Sequence, residues 1–398
     1  MPSSDVGARA TGALFWEFGV GGVMHFCSLD RDSFSEAYLT VAAGGGAAPR
    51  QEAAALYEQM AQVVAERGIQ PIQEKIYGPI AEREPVLATR RAVLRNAGLE
   101  ADLPCTYIDG RPGVTRDVTG LQLWGVIPKP GSGVTVATRQ HGDSVTGRVI
   151  RGSDFEILHL SHLVGGRGTG VRQADAMFRQ ASRALHEYDL SYRNVVRTWI
   201  YLDQILAWYD DFNRARSDFH ADVGIDGRIG GTPFPASTAI QGRCGEDACR
   251  MDLLAVRARE GSSVDIRPVL GSRRQRDAFL YGSGFARAMS LGIEGRRTLF
   301  VSGTASIDLD GLTAHPGDRE GQTLQTLRSI EALLDEQGGS LRDIAVGTLF
   351  HKDEETLVTY RAIAERLGLA DLPLIPVQSD VCRPDLLIEI EAVALLAG

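Results

Sequence analysis

The carboxyl-terminal run Leu386-Leu-Ile-Glu-Ile-Glu-Ala-Val-Ala-Leu-Leu396 carries two carboxylates at strand spacing. Alternate residues of a strand take opposite faces. Leu386, Ile388, Ile390, Ala392 and Ala394 are therefore expected against covering helices, with Leu387, Glu389, Glu391 and Val393 on the other face. Carboxylates on such a face can bridge to arginines across an interface. They can also move protons, because burial keeps a carboxyl protonated at higher pH. The residues by themselves leave both readings open. Candidate cationic partners are Arg197, in the run Val195-Val-Arg-Thr-Trp-Ile-Tyr-Leu202, and Arg243 and Arg383, which stand at matching places in two repeats. Alternation puts Val195, Arg197, Trp199 and Tyr201 on one face and Val196, Thr198, Ile200 and Leu202 on the other. Arg197 there could hold an acid or stack on a ring. Cys382 lies beside Arg383, seven residues before Glu389, and reads as a small buried hydrophobe.

Other patterns offer less. His159 and His162, three apart in an expected strand, would face opposite ways and chelate poorly. Cys244 and Cys249 lack the second pair that a structural zinc site needs. Gly165-Gly-Arg-Gly-Thr-Gly170 precedes a helix and could cradle an anion, or simply form a flexible loop. No dinucleotide fingerprint, phosphate loop or Gly-x-Ser-x-Gly elbow occurs, and no cofactor or metal is expected.

The elements that hold these residues repeat three times. Gln322 opens a helix whose Leu324, Leu327, Ile330, Leu333 and Leu334 follow one-face spacing and which stops at Gly338-Gly339. Strand 343–350, a helix over 354–367 and strands 374–382 and 386–395 follow. The middle third repeats this: a helix from Gln173, strand 195–202, a helix over 205–221, then strands 235–241 and 251–258. The first third shows a helix from Gln51 to Gly68, strand 72–77, a helix over 84–97, then strands 104–108 and 121–127. Gly68 and Gly339 both lie 17 residues past their glutamine, and the next strand starts 21 or 22 residues past it in all three. Units are expected at 14–128, 155–258 and 275–398. The fold class is α+β, with mixed sheets covered by helices on one face and three copies closing into a pseudo-trimer. The stretches 129–154 and 260–274 read as exposed connectors. Alignment of the repeats sets Asp252 and Gln122 opposite Glu389, and Leu254 and Trp124 opposite Glu391.

Composition narrows the function classes. The 398 residues are 43% hydrophobic and 23% charged with a formal net charge of −9, which suits a globular protein and disfavours a general nucleic-acid binder. No apolar run is long enough to span a membrane. The start, MPSSDVGARATG, shows no secretory leader, and five scattered cysteines suit a cytoplasmic protein. Only Lys75, Lys129 and Lys352 are lysine among 42 basic residues, so an anion site is expected to use arginine.

From Phe300-Val-Ser-Gly through Gln322 to Ile388-Glu-Ile-Glu-Ala, the last third resembles the Rid family, whose fold is chorismate-mutase-like, of small trimeric enamine/imine deaminases. A longer set of motifs resembles the chorismatases over about residues 100–398: Val195–Leu202, Trp208-Tyr-Asp-Asp-Phe-Asn-Arg214, Pro235-Ala-Ser-Thr238, Ser302-Gly-Thr-Ala-Ser306 and Asp380-Val-Cys-Arg-Pro-Asp-Leu-Leu387. This resemblance implies a small dicarboxylate substrate, chorismate, from which pyruvate is removed in secondary metabolism. It implies Glu389 as the acid with Cys382 in the catalytic set, and Arg197, Arg243, Arg383, Tyr201, Ala305 and Glu391 as substrate-binding residues. It calls for no nucleic acid, membrane or cofactor, and suits a monomeric pseudo-trimer or a homo-oligomer. Ala239 and Gln241 stand where the family pattern suggests small, glycine-like residues, which bears on pocket shape. A Rid-type deaminase and a non-catalytic ligand-binding protein on the same fold are the alternatives.

Overall fold

The structure, a computed structural model, describes residues 12–18, 22–111, 116–141, 145–227 and 231–397. The stretch read for a leader lies outside them up to residue 11. The first sheet contains β1 (Gly12–Phe18), β2 (Gly22–Asp30), β3 (Phe34–Ala42), β4 (Gln70–Tyr77), β5 (Thr106–Ile108) and β6 (Gly120–Pro128), ordered 1-2-3-6-4-5. The second contains β7 (Thr135–His141), β8 (Val145–Arg151), β9 (Phe155–Val164), β10 (Val195–Leu202), β11 (Ala236–Gln241) and β12 (Cys249–Ala258), ordered 11-10-12-9-8-7. The third contains β13 (Asp265–Val269), β14 (Ala288–Ile293), β15 (Arg296–Ala305), β16 (Ile344–His351), β17 (Leu374–Gln378) and β18 (Ile388–Leu396), ordered 13-14-15-18-16-17. In each sheet the pair β4/β5, β10/β11 or β16/β17 is parallel and the rest antiparallel, so all three are mixed as expected. The strand order is the same in each.

Two helices cover each sheet: α1 (Pro49–Arg67) and α2 (Arg83–Asn96), α3 (Gly170–His186) and α4 (Ile205–Asp222), α5 (Arg319–Asp335) and α6 (Glu354–Arg366). Local signals set their ends. Pro49 starts α1 where a missing N–H costs nothing, and Gly68 closes it at φ 65. Asp318 and Asp353 cap α5 and α6 by accepting N–H bonds from Gly321 and Thr356. Beneath each helix pair lies an apolar cluster, for example Leu327, Ile330, Leu333 and Leu357 against Ile388, Ile390 and Ala392. A further cluster joins the inner faces of all three sheets through Tyr38, Trp124, Trp199, Tyr201, Phe300 and Val393. Burial of this second face is what closes the pseudo-trimer. Polar ties cross the seams: the buried Arg31 Nη1 donates to the carbonyls of Ile293 and Arg296, and Ala236 bridges to Ala286.

Four expectations are corrected. The stretches 129–154 and 260–274 are not mere connectors, since they supply β7, β8 and β13, the opening strands of the second and third sheets. Val149 and Ile150 of β8 are buried; β7 is an exposed, polar edge strand, which hid its pattern. Second, a bulge in β10 between Val195 and Arg197 puts Val195 under the helices and Val196 in the central core. Third, Leu386 precedes β18 and packs in the central core, while the rest of the even set lies under the helices. Fourth, the first and last glycines of 165–170 serve close packing, where a Cβ at Gly165 would stand 1.9 Å from Gln173 O and one at Gly170 3.1 Å from the Trp208 ring, while Gly166 and Gly168 hold positive φ in the loop between.

The bulges also correct the repeat alignment. They recur at Pro71/Gln73, Val195/Arg197 and Ile344/Val346, which makes Lys75, Trp199 and Thr348 equivalent. These pair with Gln122, Asp252 and Glu391. Glu391, not Glu389, is thus the counterpart of Asp252 and Gln122. The positions matching Glu389 are Arg250 and Gly120, which pair with Tyr201 and Tyr77 as Glu389 pairs with Phe350.

Candidate active site

Glu389 opens into a cleft between the second and third sheets. The cleft holds about 60 Å3 of space open to water-sized groups. From the second unit come Tyr209 and Arg216 of α4 and Ser237 and Ala239 of β11; from the third come Arg287, Gly303, Ala305, Cys382, Arg383 and Glu389. Ala305 of β15 is the register partner of Glu389.

Space for the acid depends on one glycine. A bulge in β15 spans Ser302 and Gly303, and a Cβ at Gly303 would lie 2.1 Å from Glu389 Oε1. The Gly303 N–H donates to Thr238 Oγ1 and the Ser237 N–H to Ser302 Oγ, which lock the bulge across the seam. The matching bulge of β9 carries His162, at φ 63, in place of glycine. The clefts are therefore not interchangeable. At the Glu389 level, Arg250 pairs with Asp247 in the second unit, and in the first a Cβ on Gly120 would meet Ile375 at 2.4 Å. Gly303→Ala should displace the carboxylate and lower kcat by about 100-fold, the cost of a misplacement near 1 Å. The clash is with a side-chain tip, so Tm should hold; kinetics and thermal melts check the two halves.

Electrostatics separates the two carboxylates. Burial, with the charge of Glu391 adding to it, raises the Glu389 pKa to about 8, and Arg197 only partly opposes this. Glu391 is equally buried, but the nearby cations Lys75 and Arg197 outweigh the burial and hold it below its ordinary value. Arg197 Nη2 lies 2.7 Å from Glu391 Oε2, and Lys75 Nζ 3.3 Å from Oε1. Glu389 is the neutral acid and Glu391 the paired anion. Burial and the Glu389 charge push the Cys382 thiol up to about 12, so it stays a thiol near neutral pH rather than a nucleophile.

The arginines of the cleft differ in part from those expected. Arg383 is present, with Nη1 donating to Gly311 O at 2.8 Å. Arg216 and Arg287 join it, each 2% exposed, with guanidinium carbons 5.9 and 5.6 Å from the Phe285 ring. Arg216 Nη2 donates to Asn213 Oδ1, and its buried Nε has no hydrogen-bond partner among the described residues. The sequence contained a signal for Arg216: it stands four residues after Phe212 and three before Phe219, on the buried face of α4. Tyr209 follows the break in α4 at Trp208 (φ −151).

Arg197, Arg243, Tyr201 and Glu391 lie elsewhere. Arg197 and Glu391 line a central cavity among the three sheets. Tyr201 is in the central core with its hydroxyl unpartnered among the described residues. Arg243 is at the rim of a separate depression with Asp203 and Asp380. The His162 backbone N–H and the Thr106 hydroxyl donate to the buried Asp252, the His162 ring meets the Cys105 carbonyl, and both His159 ring nitrogens are buried without a hydrogen-bond partner among the described residues. Among the described residues no cluster of three metal-ligating side chains forms, no disulfide joins the cysteines, and no helix is long and apolar enough to cross a membrane.

Three units of one strand order, each a mixed sheet under two helices, define a three-unit Rid-like fold. A family model described as Endoribonuclease L-PSP matches residues 285–396. A 3-hydroxybenzoate synthase of Streptomyces hygroscopicus is 30% identical over 295 residues, 66% of this chain and 80% of that protein. A chorismatase of Streptomyces rapamycinicus is 30% identical over 226 residues, 51% of this chain and 65% of that protein. A chorismatase crystal structure covers 81% of this chain and 92% of its own at a TM-score of 0.58 and 22% identity, a likeness of fold. The chain belongs to the chorismatase family.

Proposed function

We propose that the protein removes pyruvate from chorismate, with Glu389 as the general acid and Arg216, Arg287 and Arg383 as the carboxylate-binding groups. The observation that carries this is one cleft lined by both the buried Glu389 carboxyl, whose pKa burial raises to about 8, and three arginines. Chorismate is a dianion with an enol ether. Entry of two carboxylates into a protein of net charge −9 calls for fixed cations, and a planar guanidinium binds a carboxylate through paired hydrogen bonds.

Cleavage begins with transfer of the Glu389 proton to the methylene carbon of the enol ether. The new C–H bond uses the π electrons, and the positive charge is shared with the ether oxygen. A water can then attack the carbon that bears the ether oxygen and return a proton to Glu389; the hemiketal so formed breaks its bond to the ring oxygen, which takes up a proton, releasing pyruvate and a dihydroxycyclohexadiene carboxylate. Alternatively the substrate's own hydroxyl attacks, a route that leads on to 3-hydroxybenzoate. Cys382 and Ala239 line the cleft and shape the space that a water or a ring hydroxyl would occupy. Incubation with chorismate should release one pyruvate per substrate, and chromatography of the partner product decides between the routes. Absence of pyruvate, with ammonia released from an imine substrate instead, would move the protein to the deaminases.

A further inference from the structure

A second cavity, of about 40 Å3, lies where the inner faces of the three sheets meet. It is lined by Gln73, Lys75 and Trp124 of the first unit, Arg197 and Trp199 of the second, and Glu391 of the third, among others. The acceptors of Glu391 and Gln122 are engaged. Glu391 Oε1 takes Lys75 Nζ and the Thr348 hydroxyl, and Oε2 takes Arg197. Gln122 Oε1 takes the Tyr77 hydroxyl. The donors are in surplus. Arg197 Nε and Nη1, Trp124 Nε1 and Gln73 Nε2 are buried with no hydrogen-bond partner among the described residues. Lys75 spends one of three protons on Glu391. Both cations sit on Trp199, with Lys75 Nζ 4.6 Å and Arg197 Cζ 5.0 Å from its ring.

The charges of the lining groups do not cancel. Lys75 and Arg197 contribute two positive charges and Glu391 one negative. Asp252 does not line the space, but it is buried behind it and its charge acts on Lys75, so the centre as a whole holds two cations and two carboxylates. A buried donor without an acceptor costs about 1–3 kcal/mol, more for a charged one. A water would satisfy some donors but must place its own two hydrogens, and Glu391 and Gln122 already accept from other groups. A halide has no hydrogens to place and accepts from all of these donors at once. The volume admits about three water-sized groups, which suits a monatomic anion.

We propose that this cavity on the pseudo-threefold axis binds one small monovalent anion of halide size, held by Lys75, Arg197, the Trp124 indole N–H and the Gln73 amide. Threefold repetition with divergence makes such a site possible: Lys75, Trp199 and Thr348 occupy one equivalent position in the three units. One repeat supplies a cation, one the ring beneath it and one a hydroxyl.

Bromide is the probe. Crystals of the full chain in sodium bromide, measured at the bromine edge, should show an anomalous peak within hydrogen-bond distance of Lys75 Nζ and Arg197 Nε. In solution, bromide should raise Tm with saturation relative to gluconate at equal ionic strength, as a ligand of the folded state does. Lys75→Met should abolish that dependence. Trp124→Phe, which keeps the ring packing and removes one donor, should raise the half-saturating bromide concentration roughly tenfold. Anomalous peaks confined to surface arginines, or a Tm equally indifferent to bromide and gluconate, would overturn the site. Neither readout uses turnover, so each stands apart from the chorismate assay.

Discussion

Glu389→Gln should lower kcat on chorismate by about 10²–10⁴-fold, the usual contribution of a general acid, while KM changes little. Glutamine keeps the shape and the hydrogen-bonding capacity of the protonated carboxyl but has no proton to give to carbon. The pH profile follows from the raised pKa. The working form is protonated, so activity should persist through neutral pH and decline as pH rises through about 8. Stability has the same sign. A carboxyl that binds its proton more tightly folded than unfolded loses stability as pH rises from the ordinary carboxyl range to about 8. The glutamine variant lacks that titration, so its Tm in mildly alkaline buffer should equal or exceed that of the parent. A Glu389→Gln enzyme with ordinary kcat would remove Glu389 from the acid's role. If Glu391→Gln alone then failed, with its fold intact, the acid would be the other carboxylate.

Arg216→Met and Arg287→Met should each raise KM for chorismate by about 10- to 100-fold, since a hydrogen bond to a charged group contributes about 1.5–3 kcal/mol. Methionine retains much of the apolar stem against Phe285, which limits the structural cost. Arg383→Met should act in the same direction. Arg243→Met should leave KM unchanged, because Arg243 lies outside the cleft. Steady-state kinetics of the four variants test the assignment together. A KM that responds to Arg243 and ignores Arg216 and Arg287 would place the substrate elsewhere.

Much of this molecule was legible in the chain. The spacing of Leu324, Leu327, Ile330 and Leu333, the stops at Gly68 and Gly339 and the alternation in 386–396 determined helices, strand faces and threefold repetition, because these depend on residues a few positions apart. The inward aim of Glu389 and Glu391 followed from the same alternation. Periodicity could not show bulges. One extra residue at Val195/Arg197 and its counterparts shifts every later register, which is why Asp252 was set against the wrong glutamate. Nor could the chain show what lies across a seam. Glu389 and Glu391 stand two residues apart on one face, yet one is neutral and the other paired. Lys75 and Arg197, brought from two other units, reach Glu391, while Glu389 opens into a cleft among Ala239, Ala305 and Gly303. Arg197, a substrate ligand by its strand position, is committed to the centre; Arg216 of the kinked helix and Arg287 before β14 line the Glu389 cleft instead. Local sequence determined which groups point inward. Which of them meet, and hence which carboxylate keeps its proton, was decided by the closure of the three sheets, since charge interactions depend on distances in space rather than on separation along the chain.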